Sequence, residues 1–389
     1  MRAPLYHKWL FLLGFAYYLI LPIIIVLDKK WESYPAMDNL FIYYRDTYLL
    51  GYLSIVLLML FFFFMGSNMP LLIKKRKKIN IQTNQKETLA RSKEIAIVSF
   101  PLFLLAQLVI FSNRSQLFQG YMFEDEERTF VGVIASACMF LLFMFLYTRH
   151  VDCSRKSYKF LLFALIELSV ALISFGSRMY IMVTFFSILI YMLDNHKISL
   201  RKSIIWLSCV SILAMAFGIL RKGSNEISFE ALIFVGIMES AYTWISAISM
   251  YDLNELPIFA FPYDFLMSVV NFVPSTILPM KNEWLVPNLL KYENPLGATS
   301  LFYSLISNFG ILGSFIALFF LGYYLTYVRC HWKTVFGKTY YYCLCGVIPF
   351  QLFRDPVVMV NKMFFFNFLI LPLVVIKICQ RMHKQTIIH

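Results

Sequence analysis

Charged residues are scarce in this chain of 389 residues. Only 15% of them are Asp, Glu, Lys or Arg, while 60% are hydrophobic; soluble domains carry nearer a quarter charged residues. The polar stretches between the apolar runs are too short to form a soluble domain of any size. The composition therefore excludes a soluble protein and predicts an integral membrane protein.

Motifs for metal, disulfide and nucleotide chemistry are missing as well. The seven cysteines include no Cys-x-x-Cys pair, so neither a zinc site nor a disulfide framework is expected. The sequence has no Walker loop and no Gly-x-Gly-x-x-Gly, and we predict no cofactor and no metal. The net charge of +13 does not predict a nucleic-acid partner, because the positive residues cluster in short loops between alternate apolar runs.

Apolar runs recur along the whole length, and each is long enough to cross or nearly cross a hydrocarbon core of about 30 Å. They predict an all-α polytopic membrane protein of about 10–12 transmembrane helices, with residues 1–389 forming a single integral membrane domain. Ten spans are expected at roughly 9–27, 48–65, 95–112, 129–147, 159–175, 179–193, 203–220, 301–326, 339–353 and 363–377.

The basic loops predict the orientation of these spans. The 66–94 loop carries the run from Lys74 to Lys78 and further lysines and arginines, which places it in the cytoplasm by the positive-inside rule. Alternation then places both termini in the cytoplasm. All six histidines also fall on the cytoplasmic side, so a histidine base on the outer face is not expected.

One arginine interrupts a long apolar stretch in S-F-G-S-R-M-Y-I-M at 174–182. An arginine at the centre of a membrane helix costs roughly 2.5–3.5 kcal/mol on insertion scales. A single helix over 160–193 would be about 50 Å long and would move the basic 194–202 loop to the outside. We therefore predict two short spans with a turn at Gly176-Ser177, which leaves Arg178 near the outer membrane surface.

Residues 221–300 are rich in proline and in acidic residues. We predict an outer-face cap in which 231–251 and 265–278 form interfacial or re-entrant helices, since aromatic residues are favoured at the interface. The alternative is that 231–250 is a full span with a buried Glu239.

Outward-facing charges supply the candidate site. A guanidinium fork matches phosphate oxygens bidentately, so the arginines at the outer ends of spans are candidate ligands of a lipid diphosphate; each has an alternative role as an interface anchor. Glu239 is the candidate general base, and its alternative is a structural ion pair with Arg221 or Arg178. The residues predicted to bind the diphosphate are Arg178, Arg221 and Arg354. The candidate sugar contacts are Tyr242, Trp244, Tyr263 and Trp284.

Three short motifs resemble those of O-antigen and capsule repeat-unit polymerases of the Wzy type. They are G-S-R at 176–178, P-L-G-A-T-S at 295–300 with N-F-G-I-L-G at 308–313, and F-R-D-P at 353–356. The resemblance implies a fold similar to the membrane-embedded GT-C-type glycosyltransferases. It also implies a bacterial inner-membrane enzyme, active on the periplasmic side, that moves a growing glycan from polyprenyl diphosphate to the sugar of an incoming lipid-linked repeat unit.

The partners implied by this resemblance are the two lipid-linked oligosaccharides, the bilayer and a chain-length regulator protein. The arginines would stabilise the departing diphosphate, and Glu239 would accept a proton from the attacking hydroxyl. Three alternatives stay open: a transporter or flippase of lipid-linked glycans, an O-antigen ligase, and a structural subunit whose three arginines lie far apart. The resemblance favours a polymerase over a ligase, because O-antigen ligases typically use an outer-loop histidine and the predicted topology places no histidine outside.

Overall fold

Every regular element that the computed structural model describes is helical. The structure describes residues 4–28, 31–32, 38–76, 92–118, 129–150, 155–209, 229–252, 256–273, 278, 280–281, 284 and 298–388. Seven helices within these ranges are long and apolar enough to cross a membrane. The predicted all-α, polytopic architecture is therefore confirmed.

The helices of the described ranges are numbered here in chain order. In chain order they are α1 (Tyr6–Leu27), α2 (Asp38–Tyr43), α3 (Asp46–Arg76), α4 (Ser92–Ser112), α5 (Thr129–Thr148), α6 (Arg155–Ser174), α7 (Met179–Asp194), α8 (200–209), α9 (Phe229–Asp252), α10 (Tyr263–Met267), α11 (Leu301–His331), α12 (Val335–Val347) and α13 (Gln351–Arg354). The last helix, α14, begins at Val357, is π-helical over Lys362–Ile370 and ends at Ile388.

The predicted spans fall on these helices, with two differences. The span expected at 339–353 is divided between α12 and the single turn of α13. The span expected at 203–220 begins on α8, and its remainder lies outside the described residues. A helix of 13 residues such as α12 reaches only about 20 Å, so it crosses the bundle core rather than a full bilayer.

The hairpin between α6 and α7 has the predicted turn. Gly176 adopts a φ of 84°, and the N–H groups of Gly176 and Ser177 donate to the carbonyls of Ile173 and Leu172. These two bonds form a Schellman motif, which ends a helix at a residue in the left-handed region. The chain then enters α7 directly, and Arg178 stands at the tip of the hairpin.

Close backbone contacts at glycines fix the helix packing. Gly66 on α3 lies against the backbone of Phe319 on α11, and Gly322 on α11 lies against the carbonyl of Phe63 on α3. Small residues at such positions let two membrane helices approach closely. Helices α7 and α12 run antiparallel, since Tyr191 contacts Tyr342 and Gly346 lies against Val183 and Ser187.

This antiparallel pair defines two ends of the bundle. One, the Arg329 end, holds the ion pair between Arg329 and Asp194 and the hydroxyl of Tyr342, which donates to Asp194 at 2.6 Å. The other, the Arg354 end, holds the start of α7 with Arg178 and the chain after Phe350. Of the three arginines predicted at the outer ends of spans, Arg178 and Arg354 therefore lie at the same end of the bundle, and Arg221 lies outside the described residues.

The prediction of an outer-face cap is wrong for part of helix α9. A helix lying on a membrane surface keeps one face exposed, yet residues 240–250 of α9 are all buried. Helix α9 contacts α1 before this half, where the Tyr17 hydroxyl donates to the carbonyl of Gly236 at 2.5 Å. The half itself packs inside the bundle, with Trp244 edge-on against Tyr52 of α3. The interfacial helix expected over 231–251 is thus an interior helix in its second half.

A second stretch of the cap docks into a break in α11. Gly310 has φ 71° and ψ −178°, a backbone region that only glycine enters readily. The break frees the N–H groups of Ile311 and Leu312, which donate to the carbonyls of Pro257 and Ile258 at 2.9 and 3.1 Å. Non-helical backbone at membrane depth needs partners of this kind, so the cap completes the hydrogen bonding of α11.

Replacing Gly310 with alanine tests this arrangement. A Cβ at this position would lie 2.5 Å from the Cα of Phe259 and 2.6 Å from the carbonyl oxygen of Ile258. With backbone strain added, we expect Gly310→Ala to lower the free energy of unfolding by about 2–3 kcal/mol or more. Thermal unfolding in detergent measures it. Gly132→Ala is the matched control, because a Cβ there meets nothing within 4 Å; equal midpoints for the two variants would contradict the docking.

Candidate functional site

Three charged side chains meet at the Arg354 end. The Nε of Arg354 lies 2.6 Å from the Oε1 of Glu239, and its NH1 donates to the Oδ1 of Asp355 at 3.0 Å. Glu239 comes from α9, whereas Arg354 and Asp355 follow one another at the end of α13. The structure thus brings together two of the residues that the sequence singled out, 115 positions apart in the chain (354 − 239).

The F-R-D-P motif explains how this end of α13 is formed. Pro356 disfavours a helical conformation at the residue before it, and Asp355 is extended, with φ −97° and ψ 151°. Helix α13 therefore ends at Arg354 and α14 begins after the proline. The side chains of Arg354 and Asp355 lie at the gap between the two helices, where they form ion pairs.

The end of the P-L-G-A-T-S motif ties the same region to α9 and α11. Thr299 donates its N–H to the carbonyl of Arg354 at 2.8 Å. Ser300 caps α11 by accepting the N–H of Tyr303, and its own N–H donates to the hydroxyl of Ser246 at 2.9 Å. Ser246 lies two turns after Glu239 on α9, so these bonds set the position of Glu239 relative to Arg354. Residues 295–297 lie outside the described residues.

Helix α1 contacts both segments that carry the cluster. Its π-helical stretch Ala16–Ile20 contains Tyr17, whose ring contacts Phe350 at 5.8 Å and whose hydroxyl holds Gly236, one turn before Glu239. Single π-helical turns are frequent at functional sites because they displace side chains from the regular face. The sequence gives no signal for this role, since Tyr17 is one of many aromatic residues in an apolar span.

The cluster carries more negative than positive charge. One arginine serves two carboxylates, and the side chains of Glu239, Arg354 and Asp355 are 37%, 20% and 13% exposed. Burial raises the pKa of Asp355, while the neighbouring Arg354 guanidinium opposes that shift. Glu239 is the most accessible of the three, so it can accept a proton from an incoming hydroxyl while Arg354 holds its position.

The other predicted ligands fall in different places. Arg178 is exposed at the hairpin tip, and Arg221 lies outside the described residues. Arg354, predicted to bind a diphosphate, is instead engaged by two carboxylates. The predicted alternative of a paired Glu239 is realised with Arg354 rather than with Arg178, and the other predicted partner, Arg221, lies outside the described residues.

Two of the four predicted sugar contacts are corrected. Trp244 is 1% exposed and packs edge-on against Tyr52 at 5.5 Å between ring centroids, and Tyr242 is 8% exposed. Neither ring offers a face to a sugar, because α9 is an interior helix here. Tyr263 is half-buried and Trp284 is 40% exposed, and their role stays a prediction.

Asn308 of the N-F-G-I-L-G motif joins the cap to α11. Its side-chain oxygen accepts the N–H of Phe265 at 3.0 Å, and its nitrogen donates to Asp264 at 3.4 Å and to the carbonyl of Ser304 at 2.9 Å. Asp264 is thus buried in a structural contact. The motif acts through Asn308 and Gly310 as the docking point of residues 256–267.

Four of the six histidines lie toward the Arg329 end. The His7 ring bonds with Tyr341 and Thr326, the His150 ring packs on Tyr342, and His196 and His331 adjoin the ends of α7 and α11. Within the ranges that the structure describes, no group of three or more His, Cys, Asp or Glu side chains is arranged to hold a metal ion.

Comparisons of the chain with protein-family models, with curated protein sequences and with solved structures found no match. The resemblance to repeat-unit polymerases therefore rests on the short motifs, and the functional argument rests on the geometry of the cluster.

Removing the arginine tests the cluster. In Arg354→Met two carboxylates lose their shared cation, and we expect the free energy of unfolding to fall by about 2 kcal/mol. This is below the usual range for a buried pair, because all three groups are partly exposed. Arg354→Met combined with Glu239→Gln should recover part of that loss, since one of the unpaired charges is removed. Thermal unfolding in detergent measures both, with the exposed Arg201→Met as control. A double variant less stable than Arg354→Met would contradict the assignment.

Proposed function

We propose that this protein is a membrane glycosyltransferase that polymerises lipid-linked oligosaccharide repeat units. The observation that carries the proposal is the Glu239–Arg354–Asp355 cluster, in which an accessible carboxylate of α9 is fixed where the F-R-D-P and P-L-G-A-T-S motifs meet. The proposed location is a bacterial inner membrane with the Arg354 end facing the periplasm. The proposed partners are the polyprenyl-diphosphate-linked donor and acceptor and a chain-length regulator protein.

The exposure of Glu239 beside Arg354 supports its proposed role as the base. The acceptor sugar hydroxyl attacks the anomeric carbon of the donor while Glu239 takes the hydroxyl proton. The bond between that carbon and the diphosphate oxygen breaks, and polyprenyl diphosphate leaves with the electron pair. Arg354 is a positioning residue in this scheme, because its guanidinium holds both Glu239 and Asp355 and leaves the acceptor to approach the more exposed carboxylate.

Arg178 is the proposed contact for the departing diphosphate. It is exposed, it lies at the same end of the bundle as the cluster, and it directly precedes the first turn of α7. The start of a helix favours anions through its unpaired N–H groups and its dipole, and the guanidinium adds a bidentate donor pair. Arg221 remains a proposed second contact.

The break in α11 favours a second candidate, a transporter or flippase of lipid-linked glycans. Transporters use discontinuous membrane helices to build their substrate sites, and Gly310 interrupts α11. Liposomes that contain the purified chain and a lipid-linked repeat unit separate the two candidates. A polymerase lengthens the glycan, whereas a transporter moves the lipid between leaflets and leaves the size of its glycan unchanged.

Substitution of Glu239 tests the proposed base. In a strain of the source organism that lacks the gene, we expect Glu239→Gln to lower polymerisation by about 10²-fold or more, so that surface glycans carry single repeat units on a gel. Glu239→Asp keeps the carboxylate and should retain part of the activity. Glu167→Gln is the matched control, since Glu167 is engaged by Gln107 on α4. Normal chains from Glu239→Gln, at wild-type protein levels, would refute the base.

The arginine at the hairpin tip has a separate test. Arg178→Lys keeps the charge and loses the planar fork, so we expect about tenfold lower polymerisation, seen as shorter glycans in the same strain, and a larger loss for Arg178→Ala. Arg114→Ala is the control, because Arg114 is also exposed and lies near the same end, where Phe118 donates to the carbonyl of Ser174. Normal glycans from Arg178→Ala would remove Arg178 from the proposed site.

A further inference from the structure

Two lysines near the Arg354 end lie close to each other. Lys362 belongs to α14 and Lys281 to the cap, and their ammonium groups are near enough to repel one another. No ion pair between described residues involves either of them. Like charges placed together are unfavourable, so the pair carries a cost that a bound anion would relieve.

A helical turn of the cap crosses α14 at the position of Lys362. The Asn271 amide nitrogen of this turn lies 3.8 Å from the sulfur of Met359, and the Phe272 ring stacks on that of Phe366 at 5.4 Å between centroids. Met359 and Phe366 stand three residues before and four residues after Lys362, so all three occupy one side of the helix. The cap therefore packs on the side of α14 that carries the lysine.

Lys281 is held at the end of the same turn. It is only 5% exposed, and its ammonium donates to the carbonyl of Val273 at 2.7 Å. An ammonium has three donors, and this is the one bond that the described part of the chain gives it. A buried cation is costly unless it is paired, and an anion beside Lys362 would accept its remaining donors.

Helix α14 changes its form at Lys362. It is α-helical over Val357–Asn361 and π-helical from Lys362 onward, an irregularity that is frequent at functional sites. Within the described ranges, the half-buried Lys362 ammonium has neither an acceptor nor a carboxylate partner. Two lysines from two segments thus present free donors to one place.

The depth of Lys362 matches that of lipid phosphates. The span Val357–Met382 has 26 residues and rises about 39 Å, close to the thickness of a bilayer with its headgroup regions, about 40–45 Å. Lys362 lies about 8 Å from the start of this span, where the headgroup region meets the hydrocarbon core. The flexible stem of a lysine at this depth lets its ammonium reach the phosphates.

Exposed apolar side chains surround the pair. Val269 and Leu266 of the cap are 61% and 52% exposed, and Met359 is 43% exposed. Exposed apolar patches on a protein surface mark contacts with a membrane or a partner. The edge of the site that these residues form is suited to acyl chains, which favours a lipid as the source of the anion.

We propose that Lys281 and Lys362 form a phosphate-binding site between the cap and α14, which takes the headgroup of an anionic membrane lipid. The phosphate oxygens accept from both ammonium groups, and their charge offsets the repulsion between the lysines. The bound lipid thereby stabilises the contact between the cap and α14. This site is separate from Glu239 and Arg178, and it does not depend on the proposed glycosyltransferase activity.

Thermal unfolding of the full chain in a neutral detergent tests the site with two matched lipids. Dioleoyl phosphatidic acid and dioleoylglycerol have the same acyl chains and differ in the phosphate alone. We expect phosphatidic acid to raise the unfolding midpoint in a saturable way and dioleoylglycerol to leave it unchanged. An equal rise with both lipids would overturn the site. An equal rise with inorganic phosphate at the same concentrations would assign the site to the free ion rather than to a lipid.

Neutral substitutions locate the binding. Lys362→Gln and Lys281→Gln should each raise the half-saturating concentration of phosphatidic acid about tenfold or more, the effect of one hydrogen bond to a charged group. Lys377→Gln is the matched control, because Lys377 is an exposed lysine of the same helix, five residues from the other end of the span. If all three variants respond like the wild type, the two lysines do not bind the phosphate.

A charge reversal tests the proximity of the two lysines without any ligand. Lys362→Glu places a carboxylate near Lys281, so attraction replaces repulsion. We expect its unfolding midpoint in detergent alone to exceed that of Lys362→Gln, and its response to phosphatidic acid to be lost. A midpoint below that of Lys362→Gln, or an undiminished response to the lipid, would show that the two lysines do not share a site.

Discussion

The shared guanidinium of Arg354 is the contact on which the arrangement of this end of the protein depends. It joins a carboxylate from an interior helix to the carboxylate that follows it in the chain, and its own backbone carbonyl holds the segment that starts α11. Because the three side chains are largely but not fully buried, separation of these charges is costly. Helices α9, α11 and α13 therefore occupy fixed relative positions here, while their other contacts are mostly apolar and less specific in direction.

The second constraint is the need of every backbone group at membrane depth for a partner. Helix α11 breaks at Gly310, and the freed N–H groups are satisfied by residues 257 and 258 of the cap. A single glycine thus determines where the outer segment attaches to α11.

Much of the fold could be predicted from the sequence because lipid solvation leaves a strong local signal. Runs such as Phe130–Thr148 are apolar enough to be recognised without any knowledge of their neighbours, and the Gly176 turn has a local chemical cause. Burial inside the bundle has no such signal. The 240–250 stretch contains serines, a threonine and aromatics, which are equally suited to an interface, and its serines are satisfied by bonds that only the folded chain provides, such as that between Ser246 and Ser300.

The sequence identifies the charged residues of the site but not which of them contact one another. Glu239 and Arg354 were recognised as charges out of place, but a charge in an apolar stretch indicates only that it needs a partner. Which partner depends on where helices distant in sequence meet, and nothing local distinguished Arg354 from Arg178 as the neighbour of Glu239. The role of Tyr17 was beyond prediction for the same reason.

The docking of the cap on α11 has a consequence for protein engineering. Residues 256–273 supply carbonyls to the break at Gly310 and the backbone N–H that Asn308 binds, so neither segment has a complete set of hydrogen bonds without the other. Chimaeras that exchange the outer segment between two such proteins should carry α11 with it. An exchange of either part alone would pair one chain's helix break with a loop that was shaped for a different one.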